Sequence, residues 1–104
     1  MVNPVIHIDS AIRTSTLFDA RQMFSSERCE VIHLLLLPGE KMELHVQPFD
    51  VVFFILEGSG TLHLESEASV FSENTCISIK AGVMRAWKNH TSSPLRLLVI
   101  KLLS

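Results

Sequence analysis

Short apolar runs, each cut off by a turn signal, succeed one another along almost the whole chain and leave room for few folds. "CEVIHLLLL" ends at Pro38-Gly39, and "VVFFIL" ends at Glu57-Gly58-Ser59-Gly60. "TLHLE" alternates polar and apolar residues before the polar stretch from Ser66 to Asn74. "CISIK" meets Ala81-Gly82, "VMRAWKN" gives way to His90 through Pro94, and "LRLLVIKLL" closes the sequence. Runs of this length bounded by Gly and Pro read as strands, and many of them in succession predict an antiparallel barrel or sandwich. Only "TSTLFDARQMF" offers a helical turn: Leu17, Ala20, Arg21 and Phe24 give a weak period, and an irregular lead-in strand fits equally. A chain of 104 residues makes one domain with a single core. Residues 1–28 read as a lead-in segment packing on a barrel formed by residues 29–104.

Two of the runs are apolar on both faces. Val51, Phe53 and Ile55 share one side of their strand, while Val52, Phe54 and Leu56 point the other way. In the last run Leu95, Leu97, Val99 and Leu103 oppose Leu98, Ile100 and Leu102. A strand wetted on one side alternates instead. The outward faces must therefore be covered, by a second layer, by the lead-in segment or by another copy of the chain. Hydrophobic residues make up 47% of the sequence and charged ones only 19%, which favours a covering partner and leads us to expect a homodimer. The net charge is −2 and the nine Lys and Arg are scattered, so no basic stripe is available for nucleic acid. No apolar run approaches the ~20 residues of a membrane span. "MVNPVIHIDS" lacks the basic-then-apolar pattern of a signal peptide. Cys29 and Cys76 have no metal-ligand spacing and read as reduced thiols, so a cytoplasmic location is expected.

"HVQPFDVVFFILEGSG" places two polar side chains, His45 and Gln47, ahead of the doubly apolar run. Taken as one strand, period two puts them on the face of Val51, Phe53 and Ile55. The same rule puts Arg85 and Trp87 together on one face of "VMRAWKN". Polar groups aimed inward imply a metal, a small ligand or a satisfied polar cluster.

These segments resemble the cupin family. Its first motif, G-x5-H-x-H-x3-4-E-x6-G, falls on Gly39, His45, Gln47, Val51 and Gly58. Its second, G-x5-P-x-G-x2-H-x3-N, falls on Asn74, Lys80, Gly82, Arg85 and Asn89. The likeness runs over residues 29–101 and implies an all-β fold, a jelly-roll barrel of two antiparallel sheets. In that family three histidines and a glutamate hold a divalent metal, and carried over they become His45, Gln47, Val51 and Arg85. Gln47 offers a weak neutral oxygen and Val51 no donor at all. Arg85 keeps its proton, and a dication about 4 Å from it meets roughly 8 kcal/mol of repulsion at an effective dielectric near 20. No metal at that position and no other cofactor are expected.

The remaining histidines have ordinary readings. His63 faces either the barrel beside His45 or the opposite side; His33 suits a core or interface position; His7 and His90 read as solvated. A rebuilt metal site from His45, His63 and Glu43 or Glu65 is a further combination, though no spacing selects it. A buried Arg85 needs an acceptor, either Glu43, a stack on Trp87, or an anionic ligand. Three functions follow. The first is a metal-free barrel binding a small, anionic ligand through His45, Gln47, Val51, Phe53, Arg85 and Trp87. The second is a metal-free isomerase or lyase with His45 as base and Arg85 as anion stabiliser. The third is a metal-dependent dioxygenase or decarboxylase with substituted ligands.

Overall fold

The computed structural model describes residues 5–104, and nearly every regular element in it is a strand. After a single 3-10 turn at Ile8–Ser10 come β1 (Ile12–Arg13), β2 (Asp19–Ser25), β3 (Cys29–Leu36), β4 (Asp50–Glu57), β5 (Ser59–Leu64), β6 (Ala68–Ser72), β7 (Cys76–Ile79), β8 (Arg85–Lys88) and β9 (Leu95–Leu102). They form two antiparallel sheets, a large one in the order β1-β2-β3-β9-β4-β7 and a small one in the order β6-β5-β8. This is the expected double-sheet barrel. Among the described residues no helix is long and apolar enough to cross a membrane.

The helical alternative for Thr14–Phe24 is not taken. Its weak period gives way to β2, which pairs with β3 from Asp19↔Leu35 to Ser25↔Glu30 around a bulge between Gln22 and Phe24. β1 pairs with β2 in turn, so the lead-in segment widens the large sheet as strands.

Alternation sorts the large sheet into an inner and an outer face. Val51, Phe53 and Ile55 of β4, Leu95 and Leu97 of β9, and Ile32, Leu34 and Leu36 of β3 are all buried in one core with Leu62 and Trp87 of the small sheet. Val52, Phe54 and Leu56 lie on the other side and are only partly covered. Their register continues the apolar surface across the sheet: Val52 faces Ile100, which faces Val31, and Phe54 faces Leu98. His33 is buried in this outer layer, where the Arg96 Nε–H donates to its Nε2 at 3.0 Å.

Two details hold the small sheet against the core. Gly60 of β5 lies so close to Trp87 and Leu95 that an added Cβ would sit 2.5 Å from Leu95 Cδ2 and 3.0 Å from Trp87 Cε3. Asn89, 1% exposed, uses its whole amide: Nδ2 donates to the carbonyls of Leu36 (2.9 Å) and Ser93 (2.8 Å), and Oδ1 accepts from the Thr91 N–H and hydroxyl. It ties the end of β3 to the loop between β8 and β9.

Candidate binding cavity

Residues 45–57 do not form the single strand that period two predicts. β4 starts only at Asp50; His45 belongs to the other sheet, where it bridges Arg85, and the chain passes between sheets over Val46–Phe49. Pro48, with no N–H to give a ladder, falls within that passage. Ahead of it, the segment after Gly39 runs antiparallel to β8, through Met42 N–H to the Trp87 carbonyl (3.0 Å) and an Asn89 N–H to Glu40 carbonyl bond (2.9 Å).

The His45–Arg85 bridge fixes the centre of the site. His45 N–H donates to the Arg85 carbonyl at 3.0 Å and Arg85 N–H donates back at 2.9 Å. Residues that exchange both bonds face each other directly, with side chains on one side of the sheet. Gln47 is placed by its own carbonyl, which accepts the Gly82 N–H at 2.9 Å. Trp87 follows Arg85 on the same face of β8, and Phe53 of β4 comes from the large sheet to meet it, their rings edge to face at 5.5 Å between centroids. The result is a cavity of about 200 Å³ lined by His45, Gln47, Phe53, Arg85 and Trp87 together. Val51 is not among the lining residues. It is fully buried in the core beneath, so no ligand reaches it from the cavity.

Further lining comes from residues that motif positions do not mark: Met42, Ile32, Leu34, Val99 and Lys101, with Thr14 and Ser15 from the lead-in. Lys101 was legible as a position, because it shares the inward parity of Leu97 and Val99 on β9. Its ammonium pairs with Glu30 at 3.2 Å. Among the described residues no Asp or Glu lines the cavity.

Arg85 is the exceptional group. The residue is 3% exposed, and neither Nε nor Nη1 has a hydrogen-bond acceptor among the described residues. Glu43 is an exposed residue and forms no ion pair with it, and no stack on Trp87 is present among the described residues. Burial pushes the Arg85 pKa down from its usual value, yet a guanidinium remains protonated in proteins. A buried cation without an acceptor costs several kcal/mol. The Trp87 Nε1–H is likewise buried without an acceptor among the described residues. His45 Nδ1 lies 3.0 Å from the Glu43 carbonyl; since a carbonyl only accepts, Nδ1 carries the proton and Nε2 of the neutral ring is left with its lone pair.

His63 does not join this group. It sits on β5 between Leu62 and Leu64 with its ring 6.0 Å from that of His90, on the side away from Trp87. Burial, Lys88 and His90 together lower its pKa. His90 and His7 are exposed, as expected. Among the described residues no three His, Cys, Asp or Glu side chains gather to hold a metal, so the combination of His45, His63 and Glu43 or Glu65 is not assembled. The usual cupin metal position fits no better, because its donors here are one imidazole, one amide, an isopropyl group and a cation.

Comparison with known proteins agrees with the barrel. An RmlC-like cupin family protein of Methanocaldococcus jannaschii with a double-stranded β-helix fold is 23% identical, with a TM-score of 0.82, covering 98% of this chain and 92% of that one. The TT1209 protein of Thermus thermophilus is 25% identical with a TM-score of 0.79, covering 94% and 95%. The polyketide cyclase RemF of Streptomyces resistomycificus reaches a TM-score of 0.85 at 15% identity, covering 99% and 81%. No curated protein matches the sequence. The cupin domain profile matches residues 32–101, a span that holds the whole small sheet, most of β3, β4, β7 and β9 of the large one and the His45–Arg85 bridge, and the chain belongs to the cupin family.

Proposed function

We propose that this protein binds a small anion in the barrel interior and does so without a metal at the usual cupin position. One observation carries the reading: the buried Arg85 guanidinium, with no acceptor on Nε or Nη1 among the described residues, lines a cavity to which they contribute no carboxylate. An anion there would supply charge-assisted hydrogen bonds to the planar fork. The guanidinium occupies the place of a metal ligand and offers a fixed positive charge instead. Isothermal titration of the refolded protein with small anions tests the reading. Heat of binding that vanishes in Arg85→Gln supports it; the same heat in both proteins would refute it.

A second reading is a metal-free isomerase or lyase, and the His45 Nδ1 contact with the Glu43 carbonyl favours it. That contact supplies the orienting partner that Val51 cannot, and it leaves Nε2 as a base beside a cation able to stabilise developing negative charge. Exchange of a carbon-bound proton into D2O, lost in His45→Gln while binding persists, would separate this reading from simple binding.

The outer face of the large sheet is the proposed seat of a second copy. The apolar rows through Val31, Ile100 and Val52 and through Leu98 and Phe54 are continuous and carry few charges. A symmetric pair of such faces can bury the ~800 Å² per partner usual for a stable interface. Sedimentation equilibrium should give a dimer; a monomer at tens of micromolar refutes it.

A further inference from the structure

The cavity also limits what kind of anion it can hold. The geometry points to a monocarboxylate whose apolar part is about the size of one six-membered ring, with its carboxylate on Arg85. This rests on the anion-binding reading and narrows it.

Charge gives the first limit. Two cations border the space, Arg85 and Lys101, and among the described residues no acidic one does. Lys101 already holds Glu30 at 3.2 Å, whereas the Arg85 guanidinium has no such partner among them. The site therefore has one positive charge to neutralise. A second negative charge on the ligand would fall among Met42, Phe53, Trp87 and Leu34, where the Trp87 Nε1–H can donate but no unpaired cation among the described residues offsets its desolvation.

Size and surface give the second. At about 200 Å³ the space somewhat exceeds the ~150 Å³ of an apolar cavity that accepts benzene. One ring, or a branched aliphatic body of similar bulk, with a carboxylate attached matches that volume. Much of the remaining lining is apolar, including Ile32, Leu34, Met42 and Val99, and the edge-to-face pair of Phe53 and Trp87 offers an arrangement that a further aromatic ring can extend. The Gln47 amide N–H can donate to a carboxylate or an adjacent carbonyl, whereas His45, whose Nδ1–H is held by the Glu43 carbonyl, offers through Nε2 an acceptor for a ligand hydroxyl or N–H. Polyols and sugar phosphates, by contrast, would bury hydroxyls against carbon.

The test is calorimetric titration of the refolded full chain near neutral pH with phenylacetate, its uncharged analogue phenylacetamide, acetate, succinate and inorganic phosphate. Phenylacetate should bind, and phenylacetamide should bind about 10- to 100-fold more weakly, the scale of a lost charge-assisted bond. Acetate should also be weaker by roughly tenfold or more, because burying the ring is worth at least that factor. Succinate or phosphate binding more tightly than phenylacetate, with the heat lost in Arg85→Gln, would overturn the monocarboxylate inference and leave the anion reading standing. Equal binding of phenylacetate and phenylacetamide, or no binding of any probe at millimolar concentration, would overturn both. These comparisons use the unaltered protein, so they hold even if an Arg85 variant does not fold.

Discussion

Replacing Arg85 by methionine should stabilise the ligand-free protein. The guanidinium is removed from a residue that is 3% exposed and has no acceptor on Nε or Nη1 among the described residues, while an apolar chain of similar length refills the space. No hydrogen bond to the side chain is lost, and no carboxylate is stranded, because Glu43 is exposed and Glu30 is held by Lys101. The backbone bridge to His45 is independent of the side chain and persists. Exchanging buried charge for packed carbon often gains about 1–4 kcal/mol; the lower end applies here, since part of the guanidinium borders the cavity. For a domain near 100 residues, about 1 kcal/mol is roughly 4–8 °C in Tm. The measurement is urea unfolding of both proteins after refolding from denaturant, which strips small molecules that would otherwise stabilise the wild type by mass action. A loss of about 3 kcal/mol in Arg85→Met would refute the reasoning, being the signature of a buried partner left without its cation.

Three other outcomes follow from the same geometry. Asn89→Ala should cost about 2 kcal/mol in urea unfolding, because it takes the amide from the Leu36 carbonyl and the Thr91 N–H, while the Ser93 carbonyl keeps the Thr91 hydroxyl; a loss under about 1 kcal/mol would mean that water replaces the amide. Gly60→Ala should cost about 1–3 kcal/mol as Leu95 and Trp87 are pushed aside, and a neutral result would show that the two sheets part freely there. Burial and the neighbouring Arg96 lower the His33 pKa, with Asp19 opposing and Arg21 assisting; the unfolded chain therefore binds the proton more readily, and stability should fall as pH drops through about 6.5. His33→Gln should flatten that fall between about pH 7 and pH 5, although His63, lowered in the same direction, retains part of it; an unchanged slope would remove His33 as the cause.

The fold class could be read from strand length and turn signals because both are local. Inward and outward parity was equally legible within β4, β8 and β9, where each strand runs on without a change of sheet. Parity fails wherever the chain crosses between sheets, and the Val46–Phe49 passage breaks the count between His45 and Val51. His45 and Gln47 reach the cavity by a different route from the one that periodicity assigns, and Val51 lies behind the wall instead of in it. The position of His63 was open for the same reason in reverse: one strand fixes which residues share a face, but only the neighbouring strand fixes which face is inside. The lone pair on His45 depends on a backbone carbonyl, Glu43, that has no sequence signature.

The last strand has a consequence for how the chain folds. β9 lies in the middle of the large sheet, hydrogen-bonded to β3 on one side and to β4 on the other. Until Leu95–Leu102 arrives, each of those strands has an open edge toward the gap and the large sheet stays in two parts. On the ribosome the residues before Leu95 can therefore form hairpins such as β5–β6 and β2–β3, but not the large sheet. Contacts so far apart in sequence make folding slow relative to helical domains of this size, and the waiting edges of β3 and β4, flanked by Val31, Val52 and Phe54, are open to pairing with another chain. Synthesis halted before β9 would yield an aggregation-prone fragment, and a β9 peptide supplied in trans would be expected to compete for the gap.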